Sequence, residues 1–235
     1  MRVRVRFAVN NFTLPYDYHY ALSSAIYGLI KVGDEILSAQ LHYSRDIKLH
    51  TFSEIMASKR KICDEGIVIM DKASLVFSSP IHDVVRAFVE GILSTGFLSI
   101  EDSKMIVESV EVPKTPEFAP KMTMHTLSPI IVSTAVDEKN RMKKWYLMPD
   151  DPRWYVNLEK NLKQKYRKVY GKDVHGHVRI NVIHCKAKLY KIKGTPVRGA
   201  HMRFEISADP ELIRLGYEAG FGEKCAQGFG CVDVV

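Results

Sequence analysis

The last twenty residues constrain this chain more than any other stretch. Gly216-Tyr-Glu-Ala-Gly-Phe-Gly-Glu-Lys-Cys-Ala-Gln-Gly-Phe-Gly-Cys-Val-Asp-Val-Val235 holds five glycines, Gly216, Gly220, Gly222, Gly228 and Gly230. Glycine accepts positive φ and allows close approach of another molecule, and successive N–H groups in such turns form concave anion sites. The stretch therefore reads as a loop that holds backbone phosphates. It is not a dinucleotide fingerprint, because Cys225 stands where the third glycine belongs, and it is not a Walker loop, because Lys224 lies between Glu223 and Cys225. Asp209-Pro210 opens a short helical run before it, and Phe229 to Val235 reads as a strand after it.

Charge points the same way. The net charge is +7, and residues 139–198 hold 17 Lys/Arg against four acids, a net +13, which leaves −6 for the rest. Such concentration suits a polyanionic partner. The part from Lys160 to Lys168 fits a solvated helix face. Cys63, Cys185, Cys225 and Cys231 form no C-x-x-C pair, which predicts reduced thiols in a cytoplasm. No apolar run approaches the ~20 residues of a membrane span.

Along the chain, Val3, Val5, Phe7 and Val9 alternate with Arg2, Arg4 and Arg6, which predicts a strand. From an Asp17 cap to Lys31, Leu22, Ala25, Ile26, Leu29 and Ile30 form one helical stripe. A short second helix follows Asp34. Strands are expected over 47–57 and 66–78, a helix over Asp83 to Ser94, and a closing strand over Met105 to Val112. This order is the split βαβ, or ferredoxin-like, arrangement. Three prolines mark 113–121 as a linker between residues 1–112 and 122–235. The order then repeats: a strand through Pro129 to Val136, a helix opened by Asp151-Pro152, a long hairpin from Val178 to Ser207 around Lys193-Gly194, then the terminal helix, glycine loop and strand. The expectation is an α+β chain of two tandem ferredoxin-like (RRM-like) domains, each an antiparallel sheet with helices on one face.

If the polyanionic partner is RNA, cutting it without a metal would need a base for the ribose 2'-OH, an acid for the leaving 5'-oxygen and a cation for the phosphorane. In the first half Tyr27, His42 and Lys48 could fill these roles. Tyr27 lies off the apolar stripe, where partial burial against a neighbour is its ordinary fate. His42 ends the Leu37–Leu41 turn, where a capping or exposed histidine is ordinary. Lys48 begins a strand, where lysines are usually solvated. Strand alternation would put His50 on the same face as Lys48, which makes His50 a reserve candidate for the histidine role.

His175, His177, His184 and Cys185 cluster in sequence, but no second ligand pair at zinc spacing follows. For binding, Lys59, Arg60 and Lys61 form a basic run, and Lys143-Lys144-Trp145-Tyr146 interleaves cations with aromatics, as surfaces for unpaired bases do. No RNP1-type aromatic strand is present.

A helix, a loop with Gly-Phe-Gly at each end and a last strand resemble the C-terminal signature of the RAMP superfamily, and in particular of the CRISPR-associated endoribonuclease that cuts precursor repeat RNA into guides. Ala25-Ile-Tyr-Gly-Leu-Ile30, Gln40-Leu-His42 and Asp46-Ile-Lys-Leu49 resemble that family's active-site segments, with spacings of fifteen and six residues kept. Leu14-Pro-Tyr16, Met56-Ala-Ser-Lys-Arg60 and Leu127-Ser-Pro-Ile130 extend the likeness over nearly the whole chain. The resemblance implies Tyr27 and His42 as the proton-transfer pair and Lys48 as the transition-state cation, in a metal-independent, cofactor-free reaction giving a 5'-OH and a 2',3'-cyclic phosphate. It implies CRISPR repeat RNA, single-stranded or weakly paired, as partner, with a CRISPR effector complex as a further one. Lys59, Arg60, Lys143, Lys144, Gly220, Gly222, Lys224, Gly228 and Gly230 are then the expected RNA contacts. The alternative is a RAMP-type scaffold that binds guide RNA without cutting it.

Overall fold

A computed structural model describes residues 1–44, 46–101, 103–138 and 141–235, so Lys139, which opens the basic segment, lies outside the described residues. The chain forms two compact units, Met1–Thr115 with Ala226–Gly228, and Pro116–Cys225 with Phe229–Val235. Both are ferredoxin-like.

In the first unit the order is β1 (Arg2–Ala8), β2 (Phe12–Leu14), α1 (His19–Gly33), α2 (Glu35–Tyr43), β3 (Thr51–Phe52), β4 (Met56–Ala57), β5 (Arg60–Cys63), β6 (Gly66–Ile69), β7 (Lys72–Ser78), α3 (His82–Thr95), β8 (Phe97–Ile100) and β9 (Ser103–Glu111). The sheet runs β3-β7-β1-β9-β8, with β4 also on β7. Central β1 is antiparallel to both neighbours, Val5 facing Leu75 and Val110. Its alternation buries Val3, Val5 and Phe7 with Leu22, Ile26 and Ile30 of α1 and Val85, Phe88 and Ile92 of α3. The helix cap expected at Asp17 is absent, since α1 starts after Tyr18 with no side-chain cap.

The single strand expected over 47–57 is broken. Ser53 donates its N–H to the Val76 carbonyl, while its hydroxyl accepts the Val76 N–H that a ladder carbonyl would otherwise take. Pairing stops there and resumes at β4, and residues 47–50, Lys48 among them, belong to no strand. A small sheet that sequence reasoning did not anticipate, β2-β6-β5, occupies the stretch around Asp64-Glu65.

The second unit contains β10 (Lys121–Thr126), β11 (Val132–Glu138), β12 (Arg141–Leu147), α4 (Pro152–Tyr170), β13 (Arg179–Ile192), β14 (Thr195–Ser207), α5 (Pro210–Ala219), a 3-10 turn (Cys225–Gln227) and β15 (Val232–Val234). Its sheet runs β13-β14-β10-β15, again with the first strand inside. That first strand is β10, not the stretch from Pro129 to Val136. Lys-Met-Thr-Met-His-Thr has little apolar content, and of these residues only Met124 is buried, so pattern did not reveal it. The expected strand instead begins at Val132 and pairs with β12 as a separate hairpin. Asp151 and Asp209 cap α4 and α5 as N-cap carboxylates, accepting from Arg153 N and Glu211 N.

The α4 stripe buries Trp154, Leu158, Leu162 and Tyr166, and with them Lys165, which is 1% exposed. Lys165 is thus an exception to the solvated face expected from 160 to 168. Its Nζ lies 2.7 Å from the Gly220 carbonyl, 2.8 Å from the Gly222 carbonyl and 3.2 Å from Cys225 Sγ. Gly222 has φ +76°, and a Cβ there would sit 2.3 Å from the Ile131 carbonyl oxygen; at Gly230, φ +75°, it would sit 2.1 Å from that of Phe221. Here the glycines are required by the chain's approach to itself. Among the described residues no helix is long and apolar enough to cross a membrane.

A hydrogen bond to a charged group contributes ~1.5–3 kcal/mol. Lys165→Met, which leaves the loop carbonyls without their donor, is expected to cost about 3 kcal/mol in urea unfolding. A stability equal to the parent's would show that the ammonium does not hold the loop.

Candidate active site

Tyr27 sits on α1 beside the buried stripe and is itself partly exposed. Burial raises its phenol above the ordinary value. The edge of its ring meets His50, with centroids 5.5 Å apart and planes at 70°. Asp34 caps α2 by accepting from Leu37 N at 2.9 Å, so the expected turn at Leu37–Leu41 is part of a full helix. His42 lies in its last turn, exposed, with its ring edge-on to Tyr43 at 5.4 Å.

After α2 the chain folds back on itself. The Ser44 hydroxyl accepts from Asp46 N at 3.1 Å, and Lys48 donates its ammonium to the Ser44 carbonyl. Lys48 is partly exposed and His50 fully buried, and neither lies in a strand, so the shared strand face expected for the two is not formed. The reason is the tether at Leu49, whose carbonyl accepts from Ser79 Oγ at 2.6 Å and draws the segment into the core.

His50 is 0% exposed and lies between Tyr27 and Phe77, the latter 5.6 Å away at 32°. Neither ring nitrogen has a hydrogen-bond partner. Burial, and secondarily the charge of Lys48, push its pKa down to about 4, so the ring is neutral at ordinary pH. The structure therefore sets Tyr27 against His50, where the charge of Lys48 is also felt. His42 occupies the exposed helix end.

Among the expected RNA contacts, Lys59 and Arg60 are exposed at the start of the β5–β6 hairpin. Lys143 is paired with Glu138 at 2.8 Å. Lys144 lies 2.6 Å from Glu223, whose carboxylate also accepts from Ser133 N and Oγ. Burial works to raise the Glu223 pKa, but Lys144 and Ser133 overcome it and hold the group ionised. Lys224, at φ +57°, is lowered by burial and then by the charge of Lys144. Trp145 is 53% exposed on the same hairpin.

The glycine loop differs from the open phosphate cradle expected of it. Gly220, Gly222, Gly228 and Gly230 are all buried. The N–H groups of Phe221, Glu223 and Gly230 donate to the carbonyls of Gly230, Ile131 and Pro129, so these amides face protein acceptors. Within the first unit, the Cα of Gly228 lies against the Phe52 ring, where a Cβ would come within 2.5 Å. Among the described residues no three His, Cys, Asp or Glu side chains converge, and His177 instead lies 3.5 Å from Glu159. Sequence reasoning missed the buried Lys165 and the depth of His50. The signal for the lysine was its place three residues after Leu162, on the buried stripe.

The depressed His50 value sets a pH dependence. Above pH 6.5 the ring is neutral in both folded and unfolded chains, and its packing contributes fully. As pH falls from 6.5 toward 4 the unfolded chain takes up a proton that the folded one resists, and stability falls. The thermal midpoint of the parent should therefore drop faster over this window than that of His50→Phe. Carboxylates act in both proteins, so the difference isolates His50, and parallel curves would refute its low value.

Comparison with known proteins agrees with this architecture. The family model for the N-terminal part of CRISPR-associated protein Cas6 matches residues 13–111, and that for the Cas6 C-terminal part matches residues 113–234. The CRISPR-associated endoribonuclease Cas6 1 of Methanocaldococcus jannaschii is 34% identical over 99% of this chain and 92% of its own length. A solved structure described as a Cas6-related gene product from Pyrococcus furiosus superposes with TM-score 0.93 at 31% identity, covering 100% of this chain and 98% of the other. Another, described as an RAMP protein binding different RNA substrates, gives TM-score 0.92 at 32% identity and covers 100% and 99%. With both parts of the family model matched in order along nearly its whole length, this chain belongs to the Cas6 family of CRISPR-associated RAMP proteins.

Proposed function

We propose that this protein is an endoribonuclease that cuts CRISPR repeat RNA into guides, with the 2'-OH of the scissile nucleotide as nucleophile and no metal ion in the chemistry. The observation that carries the proposal is the contact of a half-buried phenol, Tyr27, with the buried His50 ring, which also feels the charge of Lys48, close in sequence to the exposed imidazole of His42. The relative from M. jannaschii, an endoribonuclease by name, supports the reaction class, and the RNA-binding RAMP structure supports the ligand.

In this reading His42 takes the 2'-OH proton as general base, a role an imidazole can fill near neutral pH. The 2'-oxygen attacks phosphorus and the 5'-oxygen leaves. Tyr27, kept protonated by burial, donates to that oxygen. Lys48 stabilises the extra negative charge of the phosphorane. The products are a 2',3'-cyclic phosphate and a 5'-OH. Lys59 and Arg60 in the first unit, and Lys143, Lys144, Trp145 and Lys224 in the second, supply cations and a stacking surface for the strand.

The test is cleavage of end-labelled repeat RNA from the source genome in excess EDTA. One cut that survives chelation and disappears with a 2'-deoxy nucleotide at the scissile position is expected. Tyr27→Phe, His42→Ala and Lys48→Ala should each slow it by ~10²-fold or more. Cutting that EDTA abolishes would overturn the metal-free mechanism. Tight binding without cutting would favour an RNA-binding scaffold instead.

A further inference from the structure

His50 has no role in the mechanism above, yet it is the least comfortable residue at the site. An imidazole buried with both nitrogens unpartnered is destabilising, and a phenylalanine of similar size would occupy an apolar slot at lower cost. The slot is apolar: Phe77 lies against the ring and stacks in turn on Phe88, with centroids 4.3 Å apart. The ring's place is also closely set. The backbone is tied on one side by Ser79 to Leu49, and on the other by the pairing of Thr51 with Ser78 and Phe52 with Phe77. A costly polar group held rigidly against one candidate residue, Tyr27, and two residues from another, Lys48, is the kind of local conflict that marks a functional site.

We propose that His50 is a positioning residue for RNA cleavage, acting through Tyr27 and Lys48, and that its ring nitrogens as well as its bulk are needed. The inference rests on the cleavage reading. The ring face fixes the edge of the Tyr27 ring and with it the direction of the phenol. Neither ring nitrogen has a hydrogen-bond partner, so the link to Lys48, two residues before, is by charge: the ammonium feels the dipole of a neutral imidazole, whereas an imidazolium would repel it. Burial keeps His50 in the neutral form. Phenylalanine would reproduce the ring face but not this dipole.

The experiment uses the full chain with His50→Phe and His50→Gln. Single-turnover cleavage of repeat RNA, affinity for the uncleavable 2'-deoxy repeat, and thermal midpoint are measured together. Expected for His50→Phe is a midpoint equal to or above the parent's, affinity within ~2-fold, and a cleavage rate reduced by ~10-fold or more. His50→Gln, which restores a donor and an acceptor, should recover part of the rate. Cleavage by His50→Phe at the parent rate overturns the inference and leaves His50 as packing. Parallel losses of rate, affinity and midpoint also overturn it, in favour of a structural role. If Tyr27→Phe and Lys48→Ala slow cutting while His50→Phe does not, only this inference fails. If the parent itself does not cut, the cleavage reading fails and takes this one with it.

Discussion

The second unit depends on a lysine ammonium held inside protein. Lys165 reaches from α4 to the carbonyls of Gly220 and Gly222 and to the Cys225 sulfur, and a cation so deep is tolerated only because acceptors surround it. Those carbonyls point inward because Gly220 and Gly222 have positive φ, which side chains other than glycine's rarely accept. With the loop fixed, Gly222 runs beside Ile131 and the Glu223 N–H donates to the Ile131 carbonyl. The Glu223 carboxylate is then aimed at Ser133 and Lys144. The buried cation thus orders, through one loop, the cationic and aromatic hairpin on which the proposed RNA contacts lie.

In the first unit the comparable constraint is the tether that turns residues 47–50 away from the sheet edge. Ser79 takes the Leu49 carbonyl, and His50 enters the core between Tyr27 and Phe77. Lys48 remains at the surface. Helix α1 and the loop before β3 therefore bring a phenol against a neutral imidazole, with an ammonium two residues before that imidazole.

The glycines illustrate how one sequence feature can answer to two demands. Their presence in the last twenty residues pointed to the family, and the family model agrees. Their immediate physical use, however, is internal. Gly222, Gly228 and Gly230 stand where a carbonyl, a phenyl ring and another carbonyl leave no room for a Cβ.

Much of the architecture was legible because strand alternation and helical stripes are local. Val3, Val5 and Phe7 declared β1, the Leu22 to Ile30 stripe declared α1, and Asp151-Pro152 and Asp209-Pro210 declared two helix starts. Tyr27, His42 and Lys48 could be singled out only through the resemblance to the CRISPR repeat endoribonucleases, because residue type alone leaves each an ordinary half-buried or solvated side chain. Strand β10 was not legible, because a strand built of Lys, Thr, His and Met takes its place from its neighbours. Nor was the break at Ser53, which depends on a hydroxyl meeting Val76 across the sheet. By itself the sequence determined the helices, strand β1, the charge distribution and the family, all of which follow from short-range pattern. Only the tertiary structure decided that Lys165 is buried, that the Phe221, Glu223 and Gly230 amides of the glycine loop face protein acceptors, and that His50 lies buried between Tyr27 and Phe77. Burial and partnership are properties of residues far apart in the chain, and no local pattern encodes them.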